Sequence, residues 1–67
     1  MTDTFELEKA IRQNGYSKKM IAKELGLTEQ GFLLKLHNVN EFKASEIQKI
    51  CILLNCSRDI FFAPSVN

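Results

Sequence analysis

Histidine occurs once in this chain, at His37, and proline once, at Pro64. Each scarcity excludes something. A single histidine cannot build a tetrahedral metal centre without further ligands at metal spacing, and none are in place here. It also leaves acid–base chemistry without a partner. No paired acids suit a cleft, and no glycine-rich loop could cradle phosphate. The sequence therefore argues against an enzyme, and it calls for no metal, no cofactor and no small-molecule substrate. Pro64 stops any helix that reaches it. No apolar run approaches the length of a membrane span, so no transmembrane helix is expected. The opening MTDTFELEK is acidic and has no apolar signal core, so secretion is not expected. Cys51 and Cys56 fall on and just beyond one helix, where they read as small apolar thiols rather than a disulfide.

A surplus of one charge sign is lacking too. The chain carries 9 Lys and Arg against 8 Asp and Glu, a net charge of +1. That is a weak signature for a nucleic-acid binder, where a strongly basic domain is usual. Distribution matters more than the total. Asp3, Glu6 and Glu8 cluster near the start, and Lys9, Arg12, Lys18 and Lys19 follow with no acid among them. Such a dipolar chain can present a basic face while staying nearly neutral overall.

The composition is that of a globular chain, with 45% hydrophobic and 25% charged residues, so disorder is not the expectation. Its 67 residues suit one domain that buries about 60% of its unfolded surface. The apolar spacing is helical throughout. Helix one is predicted over about 4–14, with Asp3 or Thr4 as cap, Asp3 and Glu6 at capping-box spacing, and Leu7, Ala10 and Ile11 as its buried stripe. Asn14-Gly15 ends it. A fourth helix over about 43–55 buries Ile47, Ile50, Cys51 and Leu54, with Phe42 plugging the core ahead of it. Ser57 caps a last turn over Arg58–Phe62. The tail 63–67 is expected to fray.

Between these lies the most informative stretch, residues 17–37, SKKMIAKELGLTEQGFLLKLH. Ser17 can cap a first short helix over about 18–25. Ile21, Ala22 and Leu25 then form one stripe, and Gly26 follows where helices often end in a left-handed residue. Thr28 is the next cap, and Phe32 and Leu36 mark the buried line of a second helix over about 29–37. Two capped helices joined by a glycine turn outline a helix-turn-helix.

This stretch resembles the motif of phage lambda-repressor and Cro-like regulators of the XRE type. Ile21-Ala22, Leu25-Gly26-Leu27, the capping Thr28, Phe32 and Leu36 carry the likeness. It extends over about 5–62, where FKASEIQKICILLNCSRDIFF looks like the last two helices of small phage regulators. The resemblance implies an all-α bundle of about five short helices and a sequence-specific regulator of transcription in phage or prophage. It implies a double-stranded DNA operator as partner, and a bacterial cytoplasmic or nucleoid location. The related regulators often have a glycine turn where this chain has Asn38-Val39-Asn40.

In such a fold the second motif helix enters the major groove. Helical steps of 100° turn Glu29, Gln30, Leu33, Leu34 and His37 outward. Gln30 is the best base reader, because an amide both donates to and accepts from adenine. Glu29 either accepts from cytosine or merely favours the helix start. Leu33 and Leu34 either meet thymine methyl groups, or mark a protein-binding surface, or have one member half-buried by a neighbouring helix. Thr28, Lys18 and Lys19 are candidates for the DNA backbone, with solvated surface charge the alternative for the lysines. Lys35, His37, Asn38, Asn40 and Lys43 form a second candidate clamp. Ile52, Leu53, Phe61 and Phe62 exceed what one helix face can bury. Core packing explains some of them and a homodimer contact would take the rest. A protein-binding module on the same fold, such as an antirepressor that binds a partner repressor, is the competing reading.

Overall fold

Three helices of this chain end in the same way. At each end the residue after the cap takes a left-handed backbone, and two N–H groups fold back onto the last turn. After the first helix, Gly15 at φ 76° donates to the Arg12 carbonyl and Tyr16 to that of Ile11. After the second, Gly26 at φ 71° donates to Lys23 and Leu27 to Ala22. After the third, Asn38 at φ 65° donates to Lys35 and Val39 to Leu34. This double return satisfies carbonyls that a helix end would otherwise leave bare. The Asn38 loop thus has the geometry of a glycine turn without the glycine, because asparagine tolerates the left-handed region better than most residues.

The computed structural model describes residues 1–64. It holds four α-helices: α1 over Thr4–Gln13, α2 over Lys18–Glu24, α3 over Glu29–Leu36 and α4 over Ala44–Leu54. Over Arg58–Phe62 the chain forms a short 3-10 turn capped by Ser57, the last turn read from the sequence, so the α-helices among the described residues are four and not about five. No strand occurs among the described residues. The helix starts follow from side-chain oxygens. Asp3 accepts from the Glu6 N–H, Ser17 from Met20 and Thr28 from Gly31, at 3.1, 3.1 and 3.0 Å. Only half of the Asp3–Glu6 capping box forms. The Asp3 N–H, which Glu6 would have accepted, donates instead to the Ile60 carbonyl at 2.7 Å.

The four helices meet over one core. Leu7 and Ile11 come from α1, Ile21 and Ala22 from α2, Phe32 and Leu36 from α3, Ile50 and Leu54 from α4. Phe61 of the 3-10 turn completes the set. Ala22 is buried in this core, and α2 packs on α3. Phe42 plugs the rim, edge-on to Phe32 at 5.9 Å and to Phe61 at 5.3 Å. Such T-shaped pairs suit the ring quadrupoles. The radius of gyration, 10.8 Å, is that of a close-packed chain, about 11 Å at this length.

One feature of the packing has no signal in the sequence. The segment Met1–Asp3 is a strap between the loop after α3 and the end of the described chain. The Met1 nitrogen donates to the Ala63 carbonyl at 3.0 Å, and the Ala63 N–H donates to the Met1 carbonyl at 2.9 Å. Thr2 is buried beside Asn38, and the Thr4 hydroxyl donates to the Leu36 carbonyl at 2.6 Å. Ala63, expected to fray, is therefore held on both its backbone groups. The expectation for 65–67 lies outside the described residues.

Candidate nucleic-acid interface

The surface with the strongest claim to function is the outward side of α3 and the ends of the elements around it. Thr28, Glu29 and Gln30 at its start and His37 at its end are exposed. Thr28 accepts a hydrogen bond from the Gly31 N–H at 3.0 Å, and its hydroxyl also carries a proton to donate. Leu33 and Leu34 are only half-buried, and Leu33 packs against the core. Neither leucine is one of the fully exposed large apolar residues, so the expected outward pair is partly withdrawn into the fold. Gln30, Leu34 and His37 lie along one line of the helix, at spacings of four and three.

The basic residues divide into free and engaged. Lys19 and Lys43 are exposed, as is Asn40. Lys18 is paired with Glu8 of α1 at 2.6 Å. The hydrogen bond from Lys18 is the main reason the Glu8 carboxyl lies below its ordinary pKa. Partial burial opposes it, and the charges of Lys18, His37 and Arg12 reinforce it. An acid therefore sits among three groups of the basic side, and a phosphate reaching Lys18 would compete with it.

Lys35 is engaged more deeply. Its ammonium donates to both oxygens of Glu46 at 2.7 and 2.9 Å, and its side chain is only 12% exposed. Glu46, itself buried, also accepts from the Lys43 N–H at 2.9 Å. Burial works to raise the Glu46 pKa, but the bonds from Lys35 and the Lys43 backbone outweigh it and hold the carboxyl below its ordinary value. Lys35 thus ties the last turn of α3 to the first turn of α4, and its charge is not offered to a backbone phosphate.

Asn38 is also occupied. Its amide oxygen accepts from the Thr2 N–H at 2.7 Å and its amide nitrogen donates to the Thr2 carbonyl at 2.9 Å. Of the expected clamp, the groups that remain available are Lys19, Thr28, His37, Asn40 and Lys43.

The four apolar residues assigned to a dimer contact separate in the same way. Phe61 is 5% exposed and belongs to the core, and Leu53 is half-buried against it. Ile52 and Phe62 stand 72% and 68% exposed. Cys51 and Cys56 are unbridged and half-buried. Burial, with the neighbouring Cys51 adding to it, pushes the Cys56 thiol up to about 11, which makes a thiolate scarce at neutral pH. Among the described residues no three His, Cys, Asp or Glu side chains come together, and no helix is long and apolar enough to cross a membrane.

Sequence reasoning missed the two acids that decide which lysines are free. Lys35 and Glu46 are 11 residues apart, on different helices, so no helical spacing links them. The same holds for Glu8 and Lys18. Glu46 did carry one signal: it stands three residues after Lys43, the position from which a carboxylate reaches back to a helix start. No family model, no curated protein and no solved structure matches this chain.

Proposed function

We propose that this chain is a sequence-specific, double-stranded DNA-binding regulator of the phage repressor or Cro type. In this reading α2 and α3 form a helix-turn-helix, the 3-10 turn stands in for the fifth helix, and α3 enters the major groove. The observation that carries it is the pairing of α2 with α3. Ser17 and Thr28 cap them, Leu25-Gly26-Leu27 turns between them, and α2 packs on α3. That packing leaves Glu29, Gln30 and His37 exposed on one side of α3. Gln30 is the base reader, with Leu34 beside it for a thymine methyl group. Lys19, Thr28, His37, Asn40 and Lys43 hold the DNA backbone. Ile52 and Phe62 supply the apolar contact of a homodimer, which would place two copies of α3 on half-sites about 34 Å apart. The protein acts in the bacterial cytoplasm or nucleoid. A gel shift against the DNA upstream of its own gene, titrated with salt, tests the proposal. The expected result is a specific complex that weakens steeply as salt rises. Failure to bind any duplex below about 10⁻⁵ M at low salt would refute it, because even non-specific binders typically reach that range.

A second reading is a protein-binding module, such as an antirepressor that covers a partner repressor. The pairing of Lys18 with Glu8 and of Lys35 with Glu46 favours it, since both reduce the charge left for DNA. Co-purification with a phage repressor, lost on Leu33→Asp or Leu34→Asp, would support it. Partner binding that survives both changes would remove its basis.

A further inference from the structure

The end of α4 brings two thiols together. The helix stops at Asn55, whose φ of 50° is left-handed. Past it the chain folds back, so that the Cys56 N–H donates to the Cys51 carbonyl at 3.3 Å. The Asn55 N–H donates to the same oxygen. In a return of this kind the side chains of the two joined residues meet, commonly as an apolar contact. Here both residues are cysteines, and the Cys51 thiol acts on that of Cys56 by charge and by hydrogen bond. A disulfide needs two cysteines whose backbones lie close and whose Cβ atoms do not point apart. The backbone return supplies the first condition and the side-chain contact the second.

The pair is also open to a reagent. Both thiols are half-buried rather than sealed in the core. Cys56 lines a surface cleft of about 260 Å³, with Glu6, Lys9, Asn14, Asn55 and Ile60 around it. We propose that Cys51 and Cys56 form a dithiol site that a low-molecular-weight alkyl disulfide, entering this cleft, converts to an intramolecular disulfide across the end of α4. One thiolate attacks a sulfur of the reagent, whose S–S bond breaks, and the alkyl thiolate that leaves takes up a proton. The second cysteine then gives up its proton and attacks the protein sulfur of the mixed disulfide, expelling the other alkyl thiolate. Two protein thiols are oxidised and one reagent disulfide is reduced to two thiols. The inference stands apart from the DNA-binding reading.

Three proteins test it: wild type, Cys51→Ser and Cys56→Ser, each checked for helical content by circular dichroism. The probe is cystamine in redox balance with cysteamine at about pH 9, where exchange is faster because more thiolate is present. Samples are acid-quenched and read by mass spectrometry after alkylation of the remaining thiols. Wild type should lose two hydrogens, take up no alkylating reagent and return to the dithiol with a reductant. Each single variant should stop at a mixed disulfide carrying one cysteamine. The folded chain should close at a ratio of cystamine to cysteamine about tenfold lower than the same chain in guanidinium, because the helix end already holds the two sulfurs together. Closure that is equal or easier in the unfolded chain would overturn the proposal. So would a folded wild type that gathers two separate mixed disulfides, links to a second copy, or fails to react.

Discussion

Lys35 of α3 and Glu46 of α4 form a nearly buried ion pair, with the ammonium 2.7 and 2.9 Å from the two carboxylate oxygens. Removing one partner from such a pair leaves a buried charge uncompensated. Lys35→Met should therefore cost about 3 kcal/mol of stability, whereas Lys35→Met/Glu46→Leu should recover much of that loss. Chemical denaturation of both variants measures it. A single variant as stable as wild type would mean that Glu46 is already satisfied by the Lys43 N–H and water.

The same pair sets an acid limit. The Glu46 carboxyl is lowered from 4.5 in the folded chain, so folding favours its charged form. Its contribution is fully present above the ordinary glutamate value and is lost as pH falls through the lowered folded value. Stability measured from about pH 6 to about pH 3 should fall more steeply for wild type than for Lys35→Met/Glu46→Leu. Parallel curves would assign the acid sensitivity to other carboxylates.

Asn38 combines a left-handed backbone with a clasp on Thr2, and two substitutions separate these roles. Asn38→Gly keeps the backbone but loses both hydrogen bonds, for about 1–3 kcal/mol. Asn38→Ala loses them and adds left-handed strain, for about 1 kcal/mol more. Equal loss in both variants would show that the clasp alone matters.

On the DNA-binding reading, Gln30→Ala should cost about 1–3 kcal/mol in specific binding and relax preference at one base pair. Lys19→Ala should weaken all duplexes alike and lower the salt slope by about one. Glu8→Gln should do the reverse, since it releases Lys18 from its partner. If Gln30→Ala and Lys19→Ala lose affinity equally on specific and random duplexes, the division between reader and clamp is wrong.

Phe61 and Phe62 are adjacent and opposite in expected effect. Phe61→Ala should cost about 3–5 kcal/mol, because the ring fills the core. Phe62→Ser should change folding stability by no more than about 0.5 kcal/mol, as an exposed substitution does. On the homodimer reading it should shift the sedimentation equilibrium toward monomer. A Phe62→Ser protein that self-associates like wild type would remove Phe62 from the contact.

What the sequence determined was local. The caps at Asp3, Ser17 and Thr28, the glycine turns at 15 and 26, and the apolar stripes through Leu7, Ile21, Phe32 and Ile50 all follow from interactions within a turn or two of helix. Such interactions depend on spacing, and spacing is legible. The tertiary structure alone decided which polar residues are free. Lys35 and Asn38 fell into the expected clamp because they are polar and near the end of α3. They left it because Glu46 and Thr2 meet them from distant parts of the chain. Leu33 and Phe61 moved inward for the same reason. Helical phase gives the direction of a side chain, but only the neighbouring element decides whether water or protein lies there.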